Sequence, residues 1–376
     1  MNKIRLAKSS IGKEEKEAVI KVLDKEFLGM GEEVGLFELR LSEVIGISED
    51  NVICVNTGTS ALHLALLALD VGAGDEVLVP SITYVASLQA ISATGATPII
   101  CDVFEDSVLI DHHDAKNRIT EKTKAIMPVH YASNCSGMSD VYRLAKEFDL
   151  RVVEDAAHSI GSQRDGKSIG KVGDVICFSF DGIKNMTSGE GGAVVTSDIL
   201  VQKRIKDARL LGVIKDTEQR LKGERSWFFD VERQGYRYHM SNIMAAIGLE
   251  QLKKINKFGD IRKSSVESYR SKLKNLPNVF QLNMSSAEAI PHIYVIKIEN
   301  GYRDALMGHL RSEGIECGVH YQPNHLLSLY KTDYRLPVSE KLYHQLLTLP
   351  LHADLLEQDI VRICDAIGKF MGNCNG

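Results

Sequence analysis

Short, nearly unbroken apolar runs alternate with amphipathic stretches along the first two thirds of the chain. The runs are "NVICV" (Asn51–Val55), "DEVLVP" (Asp75–Pro80), "TPIICDV" (Thr97–Val103) and "KAIMPVH" (Lys124–His130). "RVVEDAA" (Arg151–Ala157), "DVICFSF" (Asp174–Phe180) and "GAVVTS" (Gly192–Ser197) follow. Most are separated by segments with helical spacing, of which "TSALHLALLALD" (Thr59–Asp70) is the clearest. Strands that alternate with helices predict βαβ units. Runs without polar alternation predict strands buried on both faces, hence a mostly parallel sheet between helices.

The pattern changes after about Gly248. A charged helix is expected from Gln251 to Lys274, stopping before Pro277. A strand over "HIYVIKIE", a helix over "RDALMGHLRSEG", a strand over "IECGVHYQ" and a last helix from Glu357 complete the tail. The chain is expected to be an α/β protein with a large domain over residues 1–250 and a smaller α+β domain over residues 251–376. The length of 376 residues agrees with two domains.

Composition narrows the function classes. Net charge is -5 with both signs dispersed, so no basic face for nucleic acid and no polybasic membrane tail is expected. The stretch Ala61–Leu69 is too short to span a bilayer, and the first twenty residues carry no long apolar run. Seven scattered cysteines (Cys54, Cys101, Cys135, Cys177, Cys317, Cys364 and Cys374) form no CxxC pair and predict reduced core thiols rather than a zinc site. A cytoplasmic location follows as the expectation.

Three strand ends carry candidate chemistry. After Val55, the residues Gly58, Thr59 and Ser60 open a helix, where free N–H groups and the helix dipole attract phosphate. Taken alone, an ordinary helix cap explains them as well. After Val153 come Glu154, Asp155 and His158, and ligands of open α/β sheets bind beyond such carboxyl ends. After Phe180 comes Lys184, followed by the glycine-rich "TSGEGG". A lysine in a dry cleft has a lowered pKa and attacks aldehydes. Phosphate cup, carboxylate and lysine together are what pyridoxal 5′-phosphate (PLP) requires: donors for its phosphate, an anion for its pyridine nitrogen and an amine for its aldehyde.

The stretches "TGTSALHLALLAL", "GDEVLVPSITYVAS", "AIMPVHYAS", "VVEDAAHSIGS", "GDVICFSFDGIKNMTSGEGGAVVT" and "GYRYHMSNIMAAIGLEQL" occur in this order and cover most of the chain. On them the sequence resembles the DegT/DnrJ/EryC1/StrS group of PLP-dependent sugar aminotransferases. The resemblance implies the PLP-dependent transferase fold type I, with a mostly parallel sheet of seven-stranded type. It implies that Lys184 holds the cofactor covalently and carries the Cα proton. Asp155 would keep the pyridine nitrogen protonated. His158, where many members have Gln, would lie near the ring hydroxyl, and Tyr84 would stack on the ring. Thr59, Ser60 and Ser179 would bind the phosphate. The segment with Arg237 and His239 would cross a homodimer interface to the partner's site. Members commonly carry Asn and Arg at those two positions, so Arg237 could bind phosphate or substrate. In the tail, His320, Tyr321 and His325 are substrate candidates, though packing in the smaller domain explains them equally. Phe27–Glu38 corresponds to a segment that lines the site.

The implied reaction moves an amino group from L-glutamate to a keto-sugar, most simply a nucleotide-linked keto-deoxysugar for a surface polysaccharide. Three other readings stay open: an acceptor that is an oxo-sugar acid without a nucleotide, such as an 8-oxo octulosonate; a PLP dehydratase; and a regulatory protein that only binds PLP or sugar.

Overall fold

The computed structural model describes residues 3–214, 216–224, 228–283 and 288–373. Cys374 lies outside them. The strands are β1 (Val52–Val55), β2 (Glu76–Pro80), β3 (Thr97–Cys101), β4 (Thr123–Ile126), β5 (Arg151–Asp155), β6 (Gln163–Arg164) and β7 (Lys167–Ser168). They continue with β8 (Val175–Ser179), β9 (Gly192–Val195), β10 (Val279–Gln281), β11 (Tyr294–Ile298) and β12 (Leu346–Leu349). The first helices are α1 (Lys13–Asp24), α2 (Glu32–Ile45), α3 (Gly58–Ala68), α4 (Ala86–Ala93), α5 (His112–Asn117), α6 (Met138–Glu147) and α7 (Ile199–Ala208). Then come α8 (Asp216–Leu221), α9 (Asn242–Leu252), α10 (Ile255–Leu273), α11 (Arg303–Ser312), α12 (Pro337–Tyr343) and α13 (Glu357–Asn373).

The seven apolar runs of the sequence become one seven-stranded sheet in the order β1-β9-β8-β5-β4-β2-β3. Pairing is parallel from β8 through β5, β4 and β2 to β3, and antiparallel where β9 meets β8 and β1. Alternate side chains serve opposite faces, as the two-residue repeat of a strand dictates. Ile53, Val77, Val79, Val153, Cys177 and Val194 enter one core with α3, α4 and α7. Cys54, Leu78, Val152, Ile176 and Phe178 enter another with α2, α6 and α9. Both faces are covered, which is why these strands read as unbroken apolar runs. No helix of the described residues is long and apolar enough to cross a membrane. The six described cysteines are buried and free.

A three-stranded antiparallel sheet, β10-β11-β12, packs with α10, α11 and α13 around a further core. Helix α10 joins the two regions: Ile255 belongs to the large-sheet core, and Val266, Tyr269 and Leu273 to the smaller one.

Two expectations about the tail are corrected. The single helix expected over Gln251–Lys274 is interrupted at Lys253 and Lys254, between α9 and α10. At that junction Gln251 and Lys254 both turn to the buried Glu15 of α1, at 2.7 Å each. The strand expected over Ile315–Gln322 is only a pair of isolated bridges, Ile4 with Ile315 and Gly318 with Thr348. Ile315 and Cys317 stay in the smaller core, but beyond Gly318 the chain leaves the sheet edge, and His320 and Tyr321 line the cavity beside the large sheet.

Candidate active site

The carboxyl ends of β1, β5 and β8 open on one cavity of about 480 Å³. Lys184, Asp155, His158, Ser179, Thr59, Tyr84, His320 and Tyr321 all line it. Ser60, Arg237, His239 and His325 do not, and neither does Phe27–Glu38.

The first wall is the start of α3. Thr57 is its N-cap: the hydroxyl accepts the Ser60 N–H at 3.0 Å. Ser60 Oγ lies 2.6 Å from Asn56 Oδ1 and accepts the Thr57 N–H at 3.1 Å, so Ser60 braces the turn. The N–H groups of Gly58 and Thr59 find no acceptor among the described residues and lie at the positive end of the helix. The sequence points to Gly58–Ser60 as the helix start; the N-cap itself is Thr57, a residue type favoured at that position.

The turn lies tight on the sheet. Gly192 pairs with Val55 on one side and with Ser179 on the other. A Cβ on Gly192 would come within 2.4 Å of Thr57 O and 2.8 Å of Gly58 N. Both are backbone atoms and cannot swing away. Gly192→Ala is therefore expected to cost about 1–3 kcal/mol, as overpacking does, and to displace the Gly58 and Thr59 N–H groups. Urea unfolding and the dissociation constant for PLP measure the two effects. A variant equal to the parent in both would show that the turn has room to move.

The second wall is the end of β5. Ser87 donates to Asp155 Oδ2 at 2.8 Å, and the Ala157 N–H donates to Oδ1 at 3.2 Å. Thr83 Oγ1 lies 2.9 Å from Ser87 Oγ, so a chain of hydroxyls leads from the Tyr84 loop to the carboxylate. Ser87 closes the stretch "SITYVAS", where nothing local marks it as a partner of Asp155. Tyr84 is 60% exposed, with its ring 5.8 Å from that of Tyr321.

The third wall carries Lys184. Its Nζ has no hydrogen-bond or ion-pair partner among the described residues. Burial pushes its pKa down, and the nearby carboxylates of Asp155 and Asp181 oppose that shift without cancelling it. A lowered pKa leaves more of the amine uncharged at neutral pH, and the free amine is the nucleophile. Asp181 and Glu190 also line the cavity and were not anticipated. Burial and the Asp181 charge raise the Glu190 pKa.

The remaining candidates lie elsewhere. His325 Nδ1 lies 2.7 Å from Ser81 Oγ, and its Nε2 lies 3.4 Å from Glu340. It fastens the tail to the loop that carries Tyr84. Tyr236 to His239 run extended beside β1, with a bridge from His239 to Val55. Tyr236 and Tyr238 pack on His63, and Arg237 alternates outward and is exposed. Burial lowers the His239 pKa to about 4, helped by the arginines Arg237, Arg220 and Arg209.

A family model for the DegT/DnrJ/EryC1/StrS aminotransferase family matches residues 9–368. The chain belongs to that family. Solved structures agree. The aminotransferase TlmJ from Streptoalloteichus hindustanus is 28% identical and superposes with a TM-score of 0.93, over 99% of this chain and 100% of TlmJ. Helicobacter pylori PseC, an aminotransferase involved in the biosynthesis of pseudoaminic acid, is 28% identical with a TM-score of 0.90, over 99% and 100%. The putative sugar aminotransferase Spr1654 from Streptococcus pneumoniae, in its PLP form, is 28% identical with a TM-score of 0.91, over 99% of each chain.

As a member of the DegT/DnrJ/EryC1/StrS family, the protein is a PLP-dependent sugar aminotransferase. Its cavity fits that cofactor. An unpartnered amine, a carboxylate fixed at both oxygens and two free N–H groups at a helix start are the three parts PLP needs, and they share one cavity of ligand size.

Proposed function

We propose that the protein transfers the amino group of L-glutamate to a keto-sugar, most simply a nucleotide-linked keto-deoxysugar, and supplies an amino sugar for surface-polysaccharide synthesis. The observation that carries the transamination is Lys184: an unpaired amine with a depressed pKa, in the same cavity as Asp155 and the start of α3. The involvement of PseC in the biosynthesis of pseudoaminic acid supports a sugar acceptor. The cytoplasm is where such a sugar would be made. A homodimer is part of the proposal, because Arg237 and His239 stand outside the chain's own cavity on an extended segment.

When bound, PLP supplies the electron sink that makes an amino acid Cα–H acidic. The chain's residues do the rest. Gly58 and Thr59 N–H groups and the Ser179 and Thr59 hydroxyls would hold the phosphate. Asp155 holds the proton on the pyridine nitrogen, and Ser87 holds Asp155. Tyr84 would pack against the ring and shed water from it. Lys184 Nζ would take the Cα proton of glutamate and give it up again to the cofactor within that half-reaction; in the second half-reaction it would take that proton back and deliver it to the carbon that becomes the amine-bearing carbon of the sugar.

The purified protein should be yellow with PLP and should lose that colour when L-glutamate is added. Mixing the bleached form with oxo-sugars, with and without a nucleotide, then restores the colour only for the true acceptor class. A protein that stays colourless when PLP is supplied would end this reading. A yellow protein that ignores glutamate would end the choice of donor.

A further inference from the structure

Tyr321 reaches the cavity on the segment that leaves the smaller sheet after Gly318. Its only hydrogen-bond partner among the described residues is His158, with Tyr321 Oη 3.3 Å from Nε2. The other ring nitrogen, Nδ1, accepts the Ala132 N–H at 3.2 Å. A backbone N–H can only donate, so Nδ1 carries no proton. The ring is buried, packed 4.3 Å from His292, and near the Lys184 amine, and these hold it neutral. A neutral imidazole with a bare Nδ1 has its hydrogen on Nε2. The Nε2–H therefore donates to Tyr321 Oη. The phenol has then accepted one bond and still has its own hydrogen to give. The backbone of His158 is fixed as well, since Ser133 Oγ and Asn185 Nδ2 both donate to its carbonyl.

We propose that Tyr321 is a catalytic hydrogen-bond donor to a negatively charged oxygen bound in the cavity, and that His158 is the positioning residue that aims it. No bond is made or broken at Tyr321; its O–H stabilises charge on the oxygen. This rests on the reading of the cavity as the PLP site. The oxygen belongs either to the cofactor ring or to the carbonyl of the amino acceptor. The inference also gives the His-for-Gln difference at position 158 a physical meaning. A Gln amide accepts through its oxygen and donates through its nitrogen, as the locked imidazole does. A donor aimed at developing charge inside a water-poor site is worth about 10²–10³ in rate.

The test uses PLP-loaded parent, Tyr321→Phe, His158→Leu, His158→Gln and the Tyr321→Phe/His158→Leu double variant. Three quantities are read: the PLP dissociation constant, the absorbance band of the bound cofactor, and the rates of bleaching by L-glutamate and of colour return with 2-oxoglutarate. Tyr321→Phe should slow the reaction about 10²-fold. His158→Leu should lose a similar factor, and the double variant should be no slower than the worse single, because the two residues act as one unit. His158→Gln should recover at least about 10-fold over His158→Leu, the value of one regained hydrogen bond to a charged group. A shifted cofactor band in Tyr321→Phe assigns the oxygen to the cofactor ring. An unshifted band with slow return by 2-oxoglutarate assigns it to the carbonyl acceptor. The proposal is overturned if Tyr321→Phe stays within about 3-fold of the parent, or if the two single losses multiply in the double variant. Either result leaves the transaminase reading intact so long as the parent still binds PLP and bleaches.

Discussion

Replacing Lys184 with alanine lowers the rate of amino transfer by at least about 10⁴-fold, the upper range for loss of a positioned proton carrier. The same change leaves folding stability within about 0.5 kcal/mol of the parent, as for a side chain whose loss orphans no partner. The two halves of this result have one cause. Lys184 Nζ makes no hydrogen bond or ion pair among the described residues, so its removal leaves no buried group unsatisfied. Burial already disfavours its charge. Lys184 is thus a partly buried amine that holds no other group in place by a hydrogen bond or ion pair among the described residues, which is what the proposed chemical role predicts. Steady-state transamination and urea unfolding measure the two quantities, and the absorbance spectrum adds a third: Lys184→Ala with PLP lacks the parent's pH-dependent yellow band. A variant with full activity would remove Lys184 from the mechanism. A variant that loses activity and stability together would make the lysine a structural residue. A physiological role that survives the substitution would favour a regulatory protein over an enzyme.

The large sheet was legible in the sequence because buried parallel strands allow no polar interruption. All seven apolar runs are strands of that sheet. The three walls of the cavity were legible for a related reason: Thr59 and Lys184 each follow the end of such a run, and Asp155 is the last residue of β5. What the sequence hid depends on which partner a side chain takes, near or far along the chain. Ser60 reads like a phosphate ligand, but its hydroxyl is engaged by Asn56 and Thr57. His325 reads like a substrate residue, but Ser81, more than two hundred residues away, takes its Nδ1. "IECGVHYQ" has strand composition, yet its second half is drawn into the cavity, and composition does not encode that pull. Asp181 stands three residues before Lys184 and its charge opposes the depression of the lysine pKa, an effect visible only once burial and distance are known.

The second large effect lies one residue from Asp155 of the cavity and concerns the fold. Glu154 is fully buried. Its carboxylate accepts from His130 Nε2 at 2.8 Å, Tyr142 Oη at 2.6 Å and Arg164 Nη1 at 2.9 Å. Tyr142 Oη in turn accepts the Asp174 N–H at 2.9 Å, which ties α6 to the approach of β8. Burial alone would raise the Glu154 pKa, but His130 and Arg164 outweigh it and hold the value at about 2. Glu154→Gln keeps the shape and removes the charge, so the partly buried Arg164 guanidinium is left without its anion. Breaking one side of such a pair costs about 3–5 kcal/mol. The sign of the pH dependence follows from the depressed pKa. The Glu154 contribution is complete above the unfolded value of 4.5 and disappears as pH falls toward the folded value of about 2. The parent therefore loses this stability in acid, whereas Glu154→Gln has none of it to lose. The gap between the two proteins in urea unfolding should be widest near neutral pH and should close on acidification. The neighbouring Asp155 feels the change through the backbone, because its carbonyl accepts the His130 N–H at 3.0 Å and its own N–H donates to Pro128 O at 2.9 Å. PLP affinity should fall with stability in Glu154→Gln, whereas Lys184→Ala spares stability. A Glu154→Gln protein as stable as the parent near neutral pH, or one whose deficit stays constant into acid, would show that the charge is not what anchors β5.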